Sequence, residues 1–246
     1  MSVCIVVPCF DEAARLDAEA FRELSTQVDR VLFVDDGSTD GTGRILAGIA
    51  ESTAGRVDVL TLQINAGKAE AVRLGLRRAI ELGSDIVGYL DADLAAPTSE
   101  IVRLVEIAQR EPERVAVIGS RVALLGHRVH RRPTRHYLGR LYATGASLAL
   151  GVPVYDTQCG AKVFRVGGPL RDALAEPFHD RWSFDVELLG RLLAAPDGTG
   201  DDIIEVPLVS WSDMDGSSVG ALGSARALLS LVGVRRRVQR HHRGSA

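Results

Sequence analysis

"DIVGYLDADLAAP", residues 85–97, sets an apolar run from Ile86 to Leu90 directly against two acids, Asp91 and Asp93, with a single alanine between them. The run is continuous rather than alternating, which is the pattern of a strand covered on both faces. A helical pattern follows over residues 98–110. The same unit recurs upstream. "VCIVV" precedes a helical pattern over 12–27, "RVLFV" one over 41–50, and "VDVLTL" one over 68–82, while "VAVIG" follows the helix that ends at 110. Strands separated by helices of this length imply right-handed crossovers and a mainly parallel central sheet with helices on both faces, an α/β fold.

Beyond residue 122 the rhythm changes. A basic stretch, "GHRVHRRPTRHYLGR", leads into a helix over 137–150, then a loop "GVPVYDTQCG", a strand "AKVFRV", a helix over 184–193 and a strand "DIIEVPLV". This half reads as decoration on the sheet. Residues 221–238 fit a terminal helix that runs into an arginine-rich tail.

Composition narrows the function classes. With 246 residues, 46% hydrophobic, and a net charge of -3, the chain lacks the basic excess that general nucleic-acid binding requires. The three cysteines Cys4, Cys9 and Cys159 have no paired zinc spacing, so reduced thiols and a cytoplasmic setting are expected. Neither a leader peptide nor an uninterrupted apolar run of membrane-spanning length is expected.

In a parallel sheet all carboxyl ends of strands meet at one edge. "PCFDE" (8–12), "DDGSTDGT" (35–42) and "DADLAAP" (91–97) each follow a strand, so they are expected to converge there. Capping and turn formation explain any one of them alone. Three acidic strand ends together call for a compensating cation or hydrogen-bond donors. On extended backbone Asp91 and Asp93 point to one side and can share an ion, with Mg²⁺ or Mn²⁺ suited to all-oxygen ligation completed by water and phosphates. A diphosphate substrate accounts for acids at an anion site. "NAGKAEAVRLGL" (65–76) puts Gly67 and Lys68 at a helix start, either as a solvated basic face or as a phosphate or base contact. It lacks the glycine spacing of a P-loop.

With "VVPCFDE", "VLFVDDGSTDGT", "NAGKAEAVRLGL" and "YLDADLAAP" in this order, the chain resembles the inverting glycosyltransferases of family 2. "VYDTQCGAKVF", "RWSFDVELL" and "IIEVPLVSW" are similar to the branch of dolichyl-phosphate glucosyltransferases, with polyprenyl-phosphate mannosyltransferases more distant. The resemblance implies a GT-A nucleotide-sugar fold over 1–234, with a nucleotide-sugar-binding half (1–121), an acceptor-binding half (122–234) and a disordered basic tail (235–246). Pro8, Phe10 and Glu12 would line the nucleotide pocket, Asp35 and Asp36 would sit near base and ribose, and Lys68 would lie over the nucleotide. Asp91, Ala92 and Asp93 would form the DXD motif, with both acids on the metal. Arg121, Gln158, Gly160 and Lys162 would face the transferred sugar or the acceptor phosphate. The chain departs from the family at Asp11, where Asn is common, and at Ala95, where the mannosyltransferase branch often has a metal-coordinating Gln.

Asp185 in "WSFDVELL" is the candidate base or sugar-binding group, with Trp182 placed to pack on a sugar face; Asp185 and Glu187 equally suit a helix N-terminus. Arg131, Arg132 and Arg135 are either solvated or a clamp for an acceptor phosphate. The terminal helix and tail either dock on the domain or attach peripherally to the inner face of an anionic membrane. The expected reaction is hexose transfer, glucose or mannose, from a UDP- or GDP-linked donor to a polyprenyl phosphate. The alternatives are a soluble small-molecule acceptor, a non-catalytic nucleotide-sugar binder, and a nucleotidyltransferase, whose early glycine-rich loop is missing.

Overall fold

The computed structural model describes residues 1–130, 133–195 and 198–213 together with Leu231 and Gly233, without the side chains of His130 and residues 133–138. The first half follows the expected alternation: β1 Val3–Cys9, α1 Ala18–Gln27, β2 Arg30–Asp35, α2 Thr42–Ser52, β3 Val57–Thr61, α3 Lys68–Glu81, β4 Ile86–Leu90, α4 Thr98–Arg110 and β5 Ala116–Ser120. The second half adds β6 Arg128–His130, α5 Pro133–Leu150, β7 Ala161–Arg165, α6 Gly168–Ala173, α7 Phe184–Leu193, β8 Ile203–Pro207 and β9 Ser210–Ser212.

Seven strands form one sheet in the order β3-β2-β1-β4-β7-β5-β8, and β6 pairs with β9 in a separate parallel ribbon. All neighbours in the large sheet are parallel except β7, which runs antiparallel to both β4 and β5. The second half therefore does more than decorate. β7 and β8 are integral strands, and β7 is the sheet's link between β4 and β5. The change of rhythm in the sequence reflects an antiparallel return, which needs no helical crossover of fixed length.

Successive residues of the central strands feed two cores, as the two-residue period of a strand requires. Cys4, Val6, Leu32 and Val34 face one core with Val72 and Leu76 of α3, Ala146 of α5 and Leu188 of α7; Leu231 is buried there too. Ile5, Val7 and Phe33 face the other with Phe21 of α1, Leu46 of α2 and Leu104 of α4. The cysteines are unpaired and buried, and burial pushes the Cys4 and Cys159 thiols up to about 12. They are therefore neutral packing groups.

Two boundaries moved for identifiable reasons. The helix expected from residue 12 begins at Ala18, because the Asp17 carboxylate accepts from the Glu19 and Ala20 amides, both at 3.1 Å, and caps it there. The acids of the opening stretch are not on extended backbone: β4 ends at Leu90, the Leu94 amide donates to the Asp91 carbonyl at 3.2 Å, and Leu94 has φ +51. A turn, not a pleat, sets their relative placement. The terminal helix over 221–238, apart from Leu231 and Gly233, and the tail lie outside the described residues.

α3 lies close on the sheet because Gly75 has no side chain: a Cβ there would overlap Val6 Cγ1 and come within 2.8 Å of Val34 Cγ2. Gly75→Ala is expected to destabilise the fold by about 1–3 kcal/mol, since overpacking two β-branched strand residues outweighs the helix-propensity gain of under about 1 kcal/mol. A lower urea midpoint at unchanged slope would register it.

Candidate active site

The polar loops at the carboxyl edge are stitched to one another. Asp36 N donates to the Cys9 carbonyl at 2.9 Å, Asp11 N to Ser38 Oγ at 3.1 Å, and Thr39 N to the Asp11 carboxylate at 2.8 Å. These bonds hold the first motif on the second. Asp11 keeps an acceptor oxygen at a position where φ is +51, which short polar side chains tolerate. The second motif in turn grips the third. Asp36 accepts from the Ala66 and Gly67 amides at 2.7 and 2.8 Å, and a Cβ on Gly37 would lie 2.9 Å from Asn65 N. Asp35 accepts from Ser38 N at 3.0 Å. Both carboxylates are buried and shape the loop walls rather than projecting from them.

That stitching places Lys68, the first residue of α3, with its ammonium 2.6 Å from Asp91 Oδ1. Desolvation disfavours the Lys68 charge, but Asp91, Asp185 and Asp93 outweigh it and hold the group above its ordinary value. Asp93 is pushed the other way: its own desolvation and the neighbouring Asp91 charge raise it, with Lys68 and Arg15 only partly compensating. Asp91 Oδ1 is shielded from solvent and, among the described residues, meets the Lys68 ammonium, so that one cation answers two carboxylates. The edge thus carries acidic charge without its full complement of donors. Among the described residues no group of three or more His, Cys, Asp and Glu side chains could hold a metal, and the acids described at this strand end are Asp91 and Asp93. Two carboxylates fit Mg²⁺ or Mn²⁺, which take one or two and fill the rest with water and phosphate.

Behind the pair lies a buried polar cluster. Lys162 on β7 is 0% exposed, and its three protons have three acceptors: Tyr89 Oη at 2.8 Å, the Cys159 carbonyl at 2.5 Å and Asp185 Oδ1 at 2.7 Å. The Tyr89 hydroxyl also donates to Asp185 Oδ1. Burial, reinforced by the Asp185 charge, raises Tyr89 well above its ordinary value, so it stays a neutral donor. Lys162 was expected to face the sugar or acceptor; it is instead sealed beneath the site with no donor left over. Gly160 was given the same role, yet it packs on Asp91: a Cβ there would overlap the carboxylate, and the Gly160 carbonyl accepts from Asp91 N at 3.0 Å.

Arg121 is likewise engaged. Its guanidinium forks onto Asp156 at 2.6 and 2.8 Å and stacks 5.4 Å from the Trp211 ring centroid. Glu205 on β8 in turn fixes the Tyr155 and Asp156 amides at 2.7 and 2.6 Å. In the adjoining loop Gln158 Nε2 and Thr157 Oγ1 are buried with no hydrogen-bond partner among the described residues. Trp182 stands partly exposed, edge-on to Tyr142 at 5.1 Å between centroids.

Of the remaining expected residues, Phe10 is exposed, Pro8 is buried in β1, and Ala92 packs into the core. Glu12 turns to a two-pronged pair with Arg15. Ala95 contributes only backbone here, its amide bonding Asp93 at 3.1 Å and its carbonyl Ser212 at 2.9 Å. Arg131 and Arg132, and the side chain of Arg135, lie outside the described residues. Tyr89, Asp156 and Arg181 were not singled out from the sequence. The tyrosine inside an apolar strand was a signal for the first; Arg181 had none, and its Cδ would lie 3.2 Å from a Cβ at Gly67, beside the start of α3.

A twisted, mainly parallel sheet with acids and an α3 ammonium at its carboxyl edge is the GT-A arrangement of nucleotide-sugar transferases, and known proteins bear this out. The family model for glycosyl transferase family 2 matches residues 4–167, and the chain belongs to that family. A dolichyl-phosphate beta-glucosyltransferase of Trichomonas vaginalis is 27% identical over 92% of this chain and 68% of its own length. An undecaprenyl-phosphate 4-deoxy-4-formamido-L-arabinose transferase of Yersinia enterocolitica is 28% identical over 66% of this chain, which spans only 48% of that protein. Among solved structures, glucosyl-3-phosphoglycerate synthase of Mycobacterium tuberculosis, in complex with Mn²⁺, UDP and phosphoglyceric acid, superposes with TM-score 0.66 at 19% identity, covering 95% of this chain and 78% of that one. A mannosyltransferase of Pyrobaculum calidifontis with GDP-Man and Mn²⁺ gives TM-score 0.59 at 17% identity, over 99% and 75% of the two chains. These share the fold.

Breaking one side of the buried cluster should be costly. Lys162→Met leaves Asp185 uncompensated, with an expected loss of about 3–5 kcal/mol in urea unfolding. Adding Asp185→Asn to the same chain should recover much of it, because the stranded charge is gone; a double-mutant cycle reads the difference.

Proposed function

We propose that this glycosyltransferase moves a hexose, glucose or mannose, from a UDP- or GDP-linked donor to a polyprenyl phosphate with inversion, in a reaction that depends on Mg²⁺ or Mn²⁺. The single observation that carries the donor half is the incompletely compensated Asp91 and Asp93 pair at the carboxyl edge with Lys68 on it. The acceptor half is supported by relatives that are named for dolichyl and undecaprenyl phosphates. Residues 1–121 serve the donor and 122–234 the acceptor within one domain.

Asp91 and Asp93 hold the ion, which when bound supplies positive charge to the diphosphate leaving group. Lys68 and Arg181, beside the α3 N-terminus, add donors for the phosphate oxygens. Phe10 and the loop walls set by Asp35 and Asp36 receive the nucleoside, while Gln158 and Thr157 offer unsatisfied polar groups to sugar hydroxyls. Trp182 packs on a sugar face. An acceptor phosphate is already an anion, so attack at the anomeric carbon needs no strong base. That suits Asp185, whose Oδ1 already accepts from an ammonium and a phenol. Asp185 and Lys162 are positioning residues: they fix β7, β4 and α7 beneath the reacting groups, and Gly160 lets the Asp91 carboxylate lie against the backbone. Arg131, Arg132 and Arg135 belong to the acceptor side as a phosphate clamp.

The test is incubation with UDP-glucose or GDP-mannose, undecaprenyl phosphate and Mg²⁺ or Mn²⁺, following nucleoside diphosphate release and the lipid product together. Chelation should abolish both, and Asp93→Ala should lower them by about 10²-fold or more. Unchanged release by the variant would refute the role of Asp93, and transfer only to a soluble acceptor such as 3-phosphoglycerate would refute the lipid acceptor.

A further inference from the structure

The strand β5 leaves the sheet at the same edge as the acids and runs into residues 121–127, where the His127 amide donates to the Leu124 carbonyl at 3.0 Å and Gly126 takes φ +82. A glycine in that region at the third position of a four-residue turn is what permits so tight a reversal. The turn presents Leu124 and Leu125 outward, the latter 103% exposed and the former 45%. Val209 beside it is exposed as well.

This projection is held in place. His127 Nδ1 donates to the Leu208 carbonyl at 2.8 Å, Arg128 N donates to the Val209 carbonyl at 2.7 Å, and β6 pairs with β9. From below, the buried Glu100 carboxylate accepts from the Val209 and Ser210 amides, both at 2.9 Å. These leucines stand on a turn whose base is hydrogen-bonded to the β8–β9 segment. Leu124, Leu125 and Val209 gather their exposed apolar surface on one projection, which distinguishes a contact surface from singly scattered side chains.

Charge identifies the occupant. From residue 115 to residue 155 the chain has no Asp or Glu and carries six arginines, although the whole protein has a net charge of -3; of these Arg121 is spent on Asp156 and Arg140 lies on the Tyr155 ring. Arg128, at the foot of the turn, is exposed, and further along the same stretch Leu141 and Leu148 are exposed on α5. Aliphatic tips with an exposed arginine at their foot complement an anionic lipid surface: the chains enter the headgroup boundary and the Arg128 guanidinium meets phosphates. A protein interface would instead be enriched in aromatic side chains at its core, and residues 121–130 hold no Phe, Tyr or Trp.

We infer that the braced Leu124–Leu125 turn, with Arg128 at its foot, docks this protein on an anionic phospholipid bilayer, with the carboxyl edge of the sheet turned toward the membrane. The docking goes beyond the acceptor reading and is measured without donor or acceptor, so each can fail alone. The full chain is sedimented with vesicles of phosphatidylcholine alone or mixed with phosphatidylglycerol, and its fluorescence is followed with Leu125→Trp. Expected are binding at least tenfold stronger to the anionic vesicles, weakening with salt, and a blue shift of the added tryptophan. The double variant Leu124→Ser with Leu125→Ser should lose at least fivefold in binding while retaining its thermal midpoint, and Arg128→Ser should lose severalfold. No binding by the parent protein, or equal binding by the double variant, overturns the inference. So does a dimer in solution that this variant converts to monomer, since the turn would then be an interface between copies.

Discussion

One ammonium group in a place without water holds the middle of this molecule together. Lys162 joins three pieces of chain distant in sequence: Tyr89 on β4, the Cys159 carbonyl before β7, and Asp185 at the start of α7. A buried cation is tolerable only when its protons and charge are met, and here each proton has an acceptor and one acceptor is a carboxylate. The consequence is positional. β7 cannot slide against β4 without stranding the lysine, so Gly160, one residue before β7, is fixed against Asp91. The acid at the strand end is thus located by a salt bridge on the neighbouring strand.

A second set of constraints works at the other side of the edge, where the loops hold each other by carboxylate-to-amide bonds. Asp36 and Asp11 spend their oxygens on neighbouring loop amides, and a Cβ on Gly37 would crowd the backbone of residue 65. A charged acceptor on a backbone N–H gives a short bond worth more than a neutral one. Such loops are organised before any ligand arrives, which lowers the ordering cost of binding. The acids of this edge fall into two sorts: those consumed in building it, such as Asp35 and Asp36, and those left under-compensated, Asp91 and Asp93.

The division was only partly legible in the sequence. Continuous apolar runs with helical spacers marked out the parallel half, and the motifs that follow the strands marked out the edge where their loops meet. Residue type alone could not say which acid is spent and which is free, because that depends on which amides the tertiary fold brings within reach. Asp36 and Asp91 look alike in a string, each ending an apolar run. Lys162 likewise reads as an available cation in "QCGAK" until its three acceptors are counted. β6 and β9, three residues each, exist only because they pair with one another, so neither has a local pattern strong enough to read. The start of α1 was masked by good helix formers ahead of Asp17, where the cap decided.

The antiparallel strand β7 also governs how the chain can be assembled. Among the described residues β5 pairs with β7 and β8 alone, both later in the chain, so these neighbours are missing until residue 161 and beyond have formed. Until then β4 presents an open edge beside β1, since its other neighbour is β7. A fragment ending near residue 121 would therefore carry an unpaired β5 and a bare β4 edge, both invitations to pair with other chains. Residues 1–121 are therefore not a unit of folding by themselves. During synthesis the catalytic edge is completed late, when the antiparallel strand enters between two strands made long before it.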